Sequence, residues 1–73
     1  MYHTYILKSK KDSQYYVGYT NNLDVRLKLH NTNKVQATKN RGPWGVFYTE
    51  QFQTEREAIR RERQIKSWKS RRA

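Results

Sequence analysis

The chain has no cysteine, one proline and only three glycines in 73 residues. Without thiols it can form neither a disulfide framework nor a thiolate zinc site, the usual staples of so short a domain. Carboxylates are scarce too: six Asp and Glu stand against sixteen Lys and Arg, for a net charge of +10. Such a field repels itself and favours a polyanionic partner, either nucleic acid or an anionic membrane surface. No apolar run approaches the ~18–20 residues that a membrane-crossing helix needs. The N-terminus also lacks the apolar stretch of a secretion signal, so a soluble, cytoplasmic protein is the expectation. What the chain does have is aromatics: six Tyr, two Trp and two Phe. With the scattered Ile, Leu and Val, these must build the core. The length allows one domain, 1–73, close to the lower limit of independent folding.

Tyr2 to Ser9 is rich in aromatic and β-branched residues and reads as a strand. Lys10-Lys11-Asp12-Ser13 is a polar turn, and Tyr15 to Thr20 is a second strand. So short a connection predicts an antiparallel hairpin. Gly18, inside the second strand, marks a bulge or a close backbone approach. Asn21-Asn22 caps a helix over Leu23 to Asn31. Asn33 to Pro43 is polar and basic, with room for one short helical turn. Gly45 to Phe52 is a third strand, with Val46, Tyr48 and Phe52 alternating against Phe47 and Thr49. Thr54-Glu55-Arg56-Glu57 matches a capping box and launches a helix from Glu55 to about Trp68. A basic tail, Lys69 to Ala73, is expected to fray. The pattern is an α+β chain in the order β-β-α-(α)-β-α.

Both long helices carry a charge on the face that ought to pack. In the first, Asp24 and Lys28 share a polar arc, while Leu23, Val25, Leu27 and Leu29 flank Arg26 and His30. These last two are i, i+4 neighbours, one above the other. A guanidinium costs too much to desolvate there unless it is paired. Taken alone, the helix makes His30 an ordinary surface imidazole and leaves Arg26 open between a role and snorkelling to solvent. In the last helix, Ala58, Ile59, Ile65 and Trp68 form the apolar arc with Glu62 among them. A lone carboxylate on a packing face needs a metal or a cation, and in so basic a chain a neighbouring arginine is a ready partner. Tyr2, Tyr15 and Tyr48 need no more than a place in a small sheet, ring packed and hydroxyl wet.

Tyr5, then Tyr16-Val17-Gly18, then Arg26 and His30, and finally Glu62 in the last helix form an ordered set that strongly resembles the GIY-YIG nuclease superfamily. The first triplet is degenerate, His3-Thr4-Tyr5, and keeps only its tyrosine. The stretch Tyr15 to Leu27, Arg41-Gly42-Pro43-Trp44, and Glu57-Ala58 followed by Glu62, Ile65, Lys66 and Trp68 are similar to the small stand-alone bacterial branch. The resemblance implies a three-stranded antiparallel sheet flanked by helices. It also implies phosphodiester cleavage, in DNA by expectation and in repair or processing, with one Mg²⁺ (or Mn²⁺) held by Glu62. Arg26 would stabilise phosphate charge, Tyr5 would act as base, made more acidic by the metal and cationic neighbours, and Tyr16 would orient water or phosphate. His30 would relay a proton or bond to phosphate, and Gly18 belongs to the motif. Three departures stand out: Tyr19 replaces a lysine common in the family, a helper asparagine would fall beyond Ala73, and the recognition domain that larger members append is not expected.

Nucleic acid is the expected partner, and its main contact surface is placed on Arg60, Arg63, Lys66, Lys69, Arg71 and Arg72. Lys34, Lys39 and Arg41 form a second arm. A non-catalytic nucleic-acid-binding module that keeps the nuclease fold is the competing reading. A membrane-surface peptide is disfavoured, since neither helix has a broad apolar face rimmed by lysines. The nuclease reading requires Tyr5, Tyr16, Arg26, His30 and Glu62 to converge on one concave surface; the binding module requires only a basic face with exposed aromatics.

Overall fold

A computed structural model describes the backbone of residues 1–71 and the side chains of residues 1–68. Strand β1 (Tyr2–Ser9) lies in the middle of a three-stranded antiparallel sheet, between β2 (Tyr15–Thr20) and β3 (Trp44–Phe52). Helix α1 (Leu23–Asn31) and a 3₁₀ turn (Gln36–Thr38) intervene between β2 and β3, and α2 (Glu55–Arg71) follows. The α+β architecture and the element order are those the sequence implied. β3 begins one residue earlier than expected and α2 runs three residues beyond Trp68.

Local chemistry accounts for the element ends. Asn22 caps α1 through its Oδ1, which accepts from the Val25 amide at 3.2 Å. At α2 the capping box forms in both directions. The Thr54 hydroxyl accepts from the Glu57 amide at 3.2 Å, and Glu57 Oε1 accepts from the Thr54 amide at 3.3 Å. Asn31 ties α1 to the start of β3: its side chain accepts from the Trp44 amide at 2.6 Å and donates to the Trp44 carbonyl at 3.1 Å. It thus satisfies both outward-facing backbone groups of Trp44, whose partner in the sheet is Ser9.

Alternation along β1 divides the sheet into two faces. Thr4 points toward α2, where its hydroxyl donates to the Ala58 carbonyl at 2.7 Å. Val17, Ala58 and Ile65 are buried on this side. Tyr5 and Leu7 point the other way and, with Trp44, form the principal core cluster, with Tyr16, Leu23 and Leu27 packed against it. Each such side chain contributes about 1.5–3 kcal/mol on burial, so three large ones matter in a chain this short.

Three expectations fail here. The alternation predicted for β3 breaks because the register on β1 slips between Ile6 and Leu7: Ile6 pairs with Tyr48 and Leu7 with Val46, leaving Phe47 unpaired. Phe47 is therefore a β-bulge residue, 59% exposed, with its ring edge-on to Tyr15 at 5.1 Å. Val25 is exposed rather than inward-facing: α1 keeps Leu23, Arg26, Leu27, Leu29 and His30 from full exposure and leaves Val25 outside. Trp68, placed on the apolar arc of α2, is 49% exposed and instead lies under the Arg61 guanidinium at 5.0 Å.

Candidate active site

The hairpin sets Tyr5 directly across from Gly18 in the β1–β2 ladder. Because Gly18 has no side chain, the Tyr5 ring lies against its backbone. A Cβ built at Gly18 would come within 2.6 Å of the Tyr5 Oη, 2.8 Å of Cζ and 3.1 Å of Tyr16 Cε2. The glycine is needed here for close approach, not for an unusual backbone conformation, since its φ is negative.

His30 closes the cluster. Its Nε2 lies 3.0 Å from the Tyr5 hydroxyl and its Nδ1 2.7 Å from the Thr38 hydroxyl. Its ring also lies 4.9 Å from that of Tyr16. The side chain is 0% exposed, so the surface imidazole expected from the helix wheel is a buried, fully bonded one. Burial is repaid by two hydrogen bonds that the wheel could not reveal. Burial, helped by the nearby Arg26 charge, lowers the His30 pKa to about 4, and the ring is neutral at pH 7.

Tyr5 departs furthest from expectation. It is 1% exposed, and burial pushes its phenol up to about 12. Arg26 opposes that rise, while Tyr16 and the Glu62 carboxylate add to it. Desolvation outweighs the Arg26 charge on this phenol. The same balance locates the partners, because Arg26, Tyr16 and Glu62 all lie close enough to act on one hydroxyl. The Arg26 Nε is buried with no hydrogen-bond partner among the described residues.

Glu62 approaches from α2. Its side chain is 15% exposed and pairs with Lys66, one turn on, at 3.1 Å, so its cation is a lysine rather than the expected arginine. Tyr19 lies 3.4 Å from Glu55 Oε2, and its phenol is raised first by burial and then by Glu55 and Glu62. An open, polar pocket lined by Tyr2, Tyr19, Thr20, Asn21, Arg26 and Glu55 joins the two faces at the end of β2. Arg26 stands on its wall. Tyr5 and His30 are buried, so the expected single concave surface divides into an open mouth and a closed cluster.

The basic residues separate into surfaces of different kinds. Arg60 and Arg63, joined by Arg56, line an open groove along the outside of α2. Lys34 and Lys39 are exposed on the loop before β3. Arg41 is partly engaged, 3.4 Å from Asp12 and over the Trp44 ring at 5.8 Å. Lys66 is held by Glu62. The side chains of Lys69 and Arg71, and all of Arg72, lie outside the described residues. Thr38 escaped the sequence reading altogether, as a threonine in a loop of undefined structure carries no local signal.

The family model of the GIY-YIG catalytic domain matches residues 1–73, and the chain belongs to that family. Its relatives are UPF0213 proteins, a small stand-alone GIY-YIG branch. The chain is 42% identical over 66 residues to one from Oceanobacillus iheyensis, covering 89% of this chain and 76% of the relative. It is 46% identical over 67 residues to one from Clostridium perfringens, covering 90% and 71%. The solution NMR structure of a UPF0213 protein from Bacillus halodurans matches with a TM-score of 0.55 at 38% identity, over 92% of this chain and 72% of that one.

Proposed function

We propose that this chain is a metal-dependent endonuclease that hydrolyses phosphodiester bonds in DNA, acting in repair or processing in the cytoplasm. The observation that carries the reading is the convergence on one phenol: Tyr5 feels Arg26, Tyr16 and Glu62, and its hydroxyl bonds to His30. Membership of a catalytic-domain family supports the chemistry, and the net charge of +10 supports a nucleic-acid substrate.

Among the described residues no group of three or more His, Cys, Asp or Glu gathers to hold a metal. A single, largely buried carboxylate, here paired with Lys66, fits Mg²⁺ (or Mn²⁺) nonetheless, because that ion is commonly held by one or two carboxylates, with water and substrate phosphate completing its shell. Glu62 would hold it, and the ion would supply charge neutralisation at the scissile phosphate and the leaving oxygen. Arg26, with a donor that lacks a partner, is suited to grip the phosphate. Drawn toward that phosphate, it would uncover the Tyr5 hydroxyl for the attacking water. A phosphate charge near His30 would also raise the basicity of an imidazole that burial and Arg26 now lower.

The second reading, a binding module without chemistry, is favoured by one observation: Tyr5 is 1% exposed and its phenol is raised to about 12. A single substitution discriminates. Glu62→Gln is expected to abolish Mg²⁺-dependent cleavage across a panel of single-stranded, duplex and branched DNA and RNA, with nucleic-acid affinity unchanged or slightly higher. Wild-type protein that cleaves none of these with Mg²⁺ or Mn²⁺, beside a Glu62→Gln protein of reduced thermal stability, would leave only the binding module.

A further inference from the structure

The Tyr5 hydroxyl has one proton, and its direction decides what the residue can do. If that proton points to His30, the oxygen offers its remaining lone pairs to the substrate side and can only accept. If His30 donates to Tyr5 instead, the phenol proton is free to point outward and Tyr5 becomes a donor. The choice belongs to the imidazole tautomer, which is set by the partner of the other ring nitrogen.

That partner is Thr38. Its hydroxyl lies 2.7 Å from His30 Nδ1, and the same oxygen sits 3.5 Å from the Val35 carbonyl, one 3₁₀ turn back. A carbonyl can only accept, and a Thr38 hydroxyl proton directed to Val35, over a long 3.5 Å, leaves the Thr38 oxygen to accept from Nδ1–H. Thr38 is also held from the other side: its own carbonyl accepts from the Trp44 indole Nε1 at 3.3 Å. Thr38 and His30 are both 0% exposed, and Trp44 is buried, so water does not compete for these bonds. The chain of bonds runs from Trp44 through Thr38 and His30 to Tyr5, giving the Arg41-Gly42-Pro43-Trp44 stretch a task that the proposed chemistry alone leaves unexplained.

We infer that Thr38, braced by Trp44, is a positioning residue that fixes His30 in the Nδ1–H tautomer, so that Tyr5 donates its proton to His30 Nε2 and presents an acceptor oxygen to the attacking water. In the hydrolytic step a water O–H breaks as a new O–H forms on Tyr5, while the original Tyr5 O–H breaks and N–H forms on His30 Nε2. The water oxygen forms the new bond to phosphorus as the leaving oxygen departs with the electron pair of its P–O bond. The step deepens the nuclease reading and rests on it; the proton assignment does not.

The test is made on the ¹⁵N-labelled full chain. Long-range ¹H–¹⁵N correlation spectra of the wild type are expected to give His30 a protonated Nδ1 and a bare Nε2. Thr38→Val keeps the shape and removes the hydroxyl; it is expected to mix the tautomers and lower the cleavage turnover. By analogy with partners that orient a ligating imidazole, the loss is about 10–100-fold, with KM unchanged. Thr38→Ser is expected to restore both. A wild-type His30 protonated on Nε2 overturns the inference, and so does a folded Thr38→Val protein that keeps the Nδ1–H tautomer. If Thr38→Val fails to fold, the wild-type spectrum and turnover by Thr38→Ser still decide. The expected tautomer in a protein that cleaves nothing would refute the nuclease reading and leave the proton assignment standing.

Discussion

Mild acid is expected to destabilise this protein through one buried ring. His30 has its pKa lowered from 6.5 to about 4 by burial and by Arg26. A group depressed in the folded state stabilises the fold fully above its unfolded pKa, and that contribution is lost as pH falls toward the folded value. At about 1.4 kcal/mol per pH unit, the stability lost to this group is about 2 kcal/mol between about pH 7 and pH 5, and about 3 kcal/mol by about pH 4. Domains are stable by only about 5–15 kcal/mol, so the effect is large for a chain of 73 residues. Above about pH 5 most unfolded-state carboxylates stay ionised, which separates the histidine's effect from theirs. The assay is urea unfolding followed by tryptophan fluorescence through this range, beside NMR titration of the His30 ring. A His30→Gln protein is expected to be less stable at pH 7 but much flatter between about pH 7 and pH 5. A His30 that titrates near 6.5 in the folded protein, or a wild type as flat as the variant, would refute the reasoning.

Two further substitutions probe the cluster. Gly18→Ala puts a methyl 2.6 Å from the Tyr5 Oη, and with Tyr5 1% exposed the ring cannot swing clear. Overpacking of this kind costs about 1–3 kcal/mol, more than the ~0.5–1 kcal/mol gained by removing a strand glycine. Urea unfolding is expected to show a less stable protein, and an equal or higher stability would contradict the packing argument. Arg26→Ala is expected to lower cleavage on the order of 10²–10³-fold, as for the loss of one charge-stabilising donor. Single-turnover rates at saturating DNA check it, and an unchanged rate would remove Arg26 from the chemistry.

Much of the fold was legible because its signals are local. Asn22 and the Thr54–Glu57 box announce helix starts within three residues of the groups they satisfy. Tyr15 to Thr20 follows β1 so closely that antiparallel pairing was almost forced. The burial of His30 was not legible on the helix wheel because its partners lie far along the chain: Tyr5 is 25 residues away and Thr38 is eight. A helix wheel can say that an imidazole faces inward, but not that two hydroxyls await it. The desolvation of Tyr5 was not legible for a related reason. Charges can be counted in a sequence, whereas desolvation depends on how completely other residues cover the group. The Phe47 bulge needed the cross-strand register, which alternation within a single strand does not contain.

That bulge has a consequence for how the molecule behaves in a crowd. β3 is an outer strand, and Val46, Phe47 and Tyr48 form an exposed apolar run along it. A flat, greasy outer strand is a template on which further copies can add, growing into ribbons. One surplus residue twists the strand out of the plane such stacking needs, and the net charge of +10 keeps approaching copies apart. The two protections differ in kind: salt, or a bound polyanion, weakens the second and leaves the first intact. Colloidal stability on a nucleic acid, where many copies lie close together with their charge neutralised, therefore rests on the shape of a single strand.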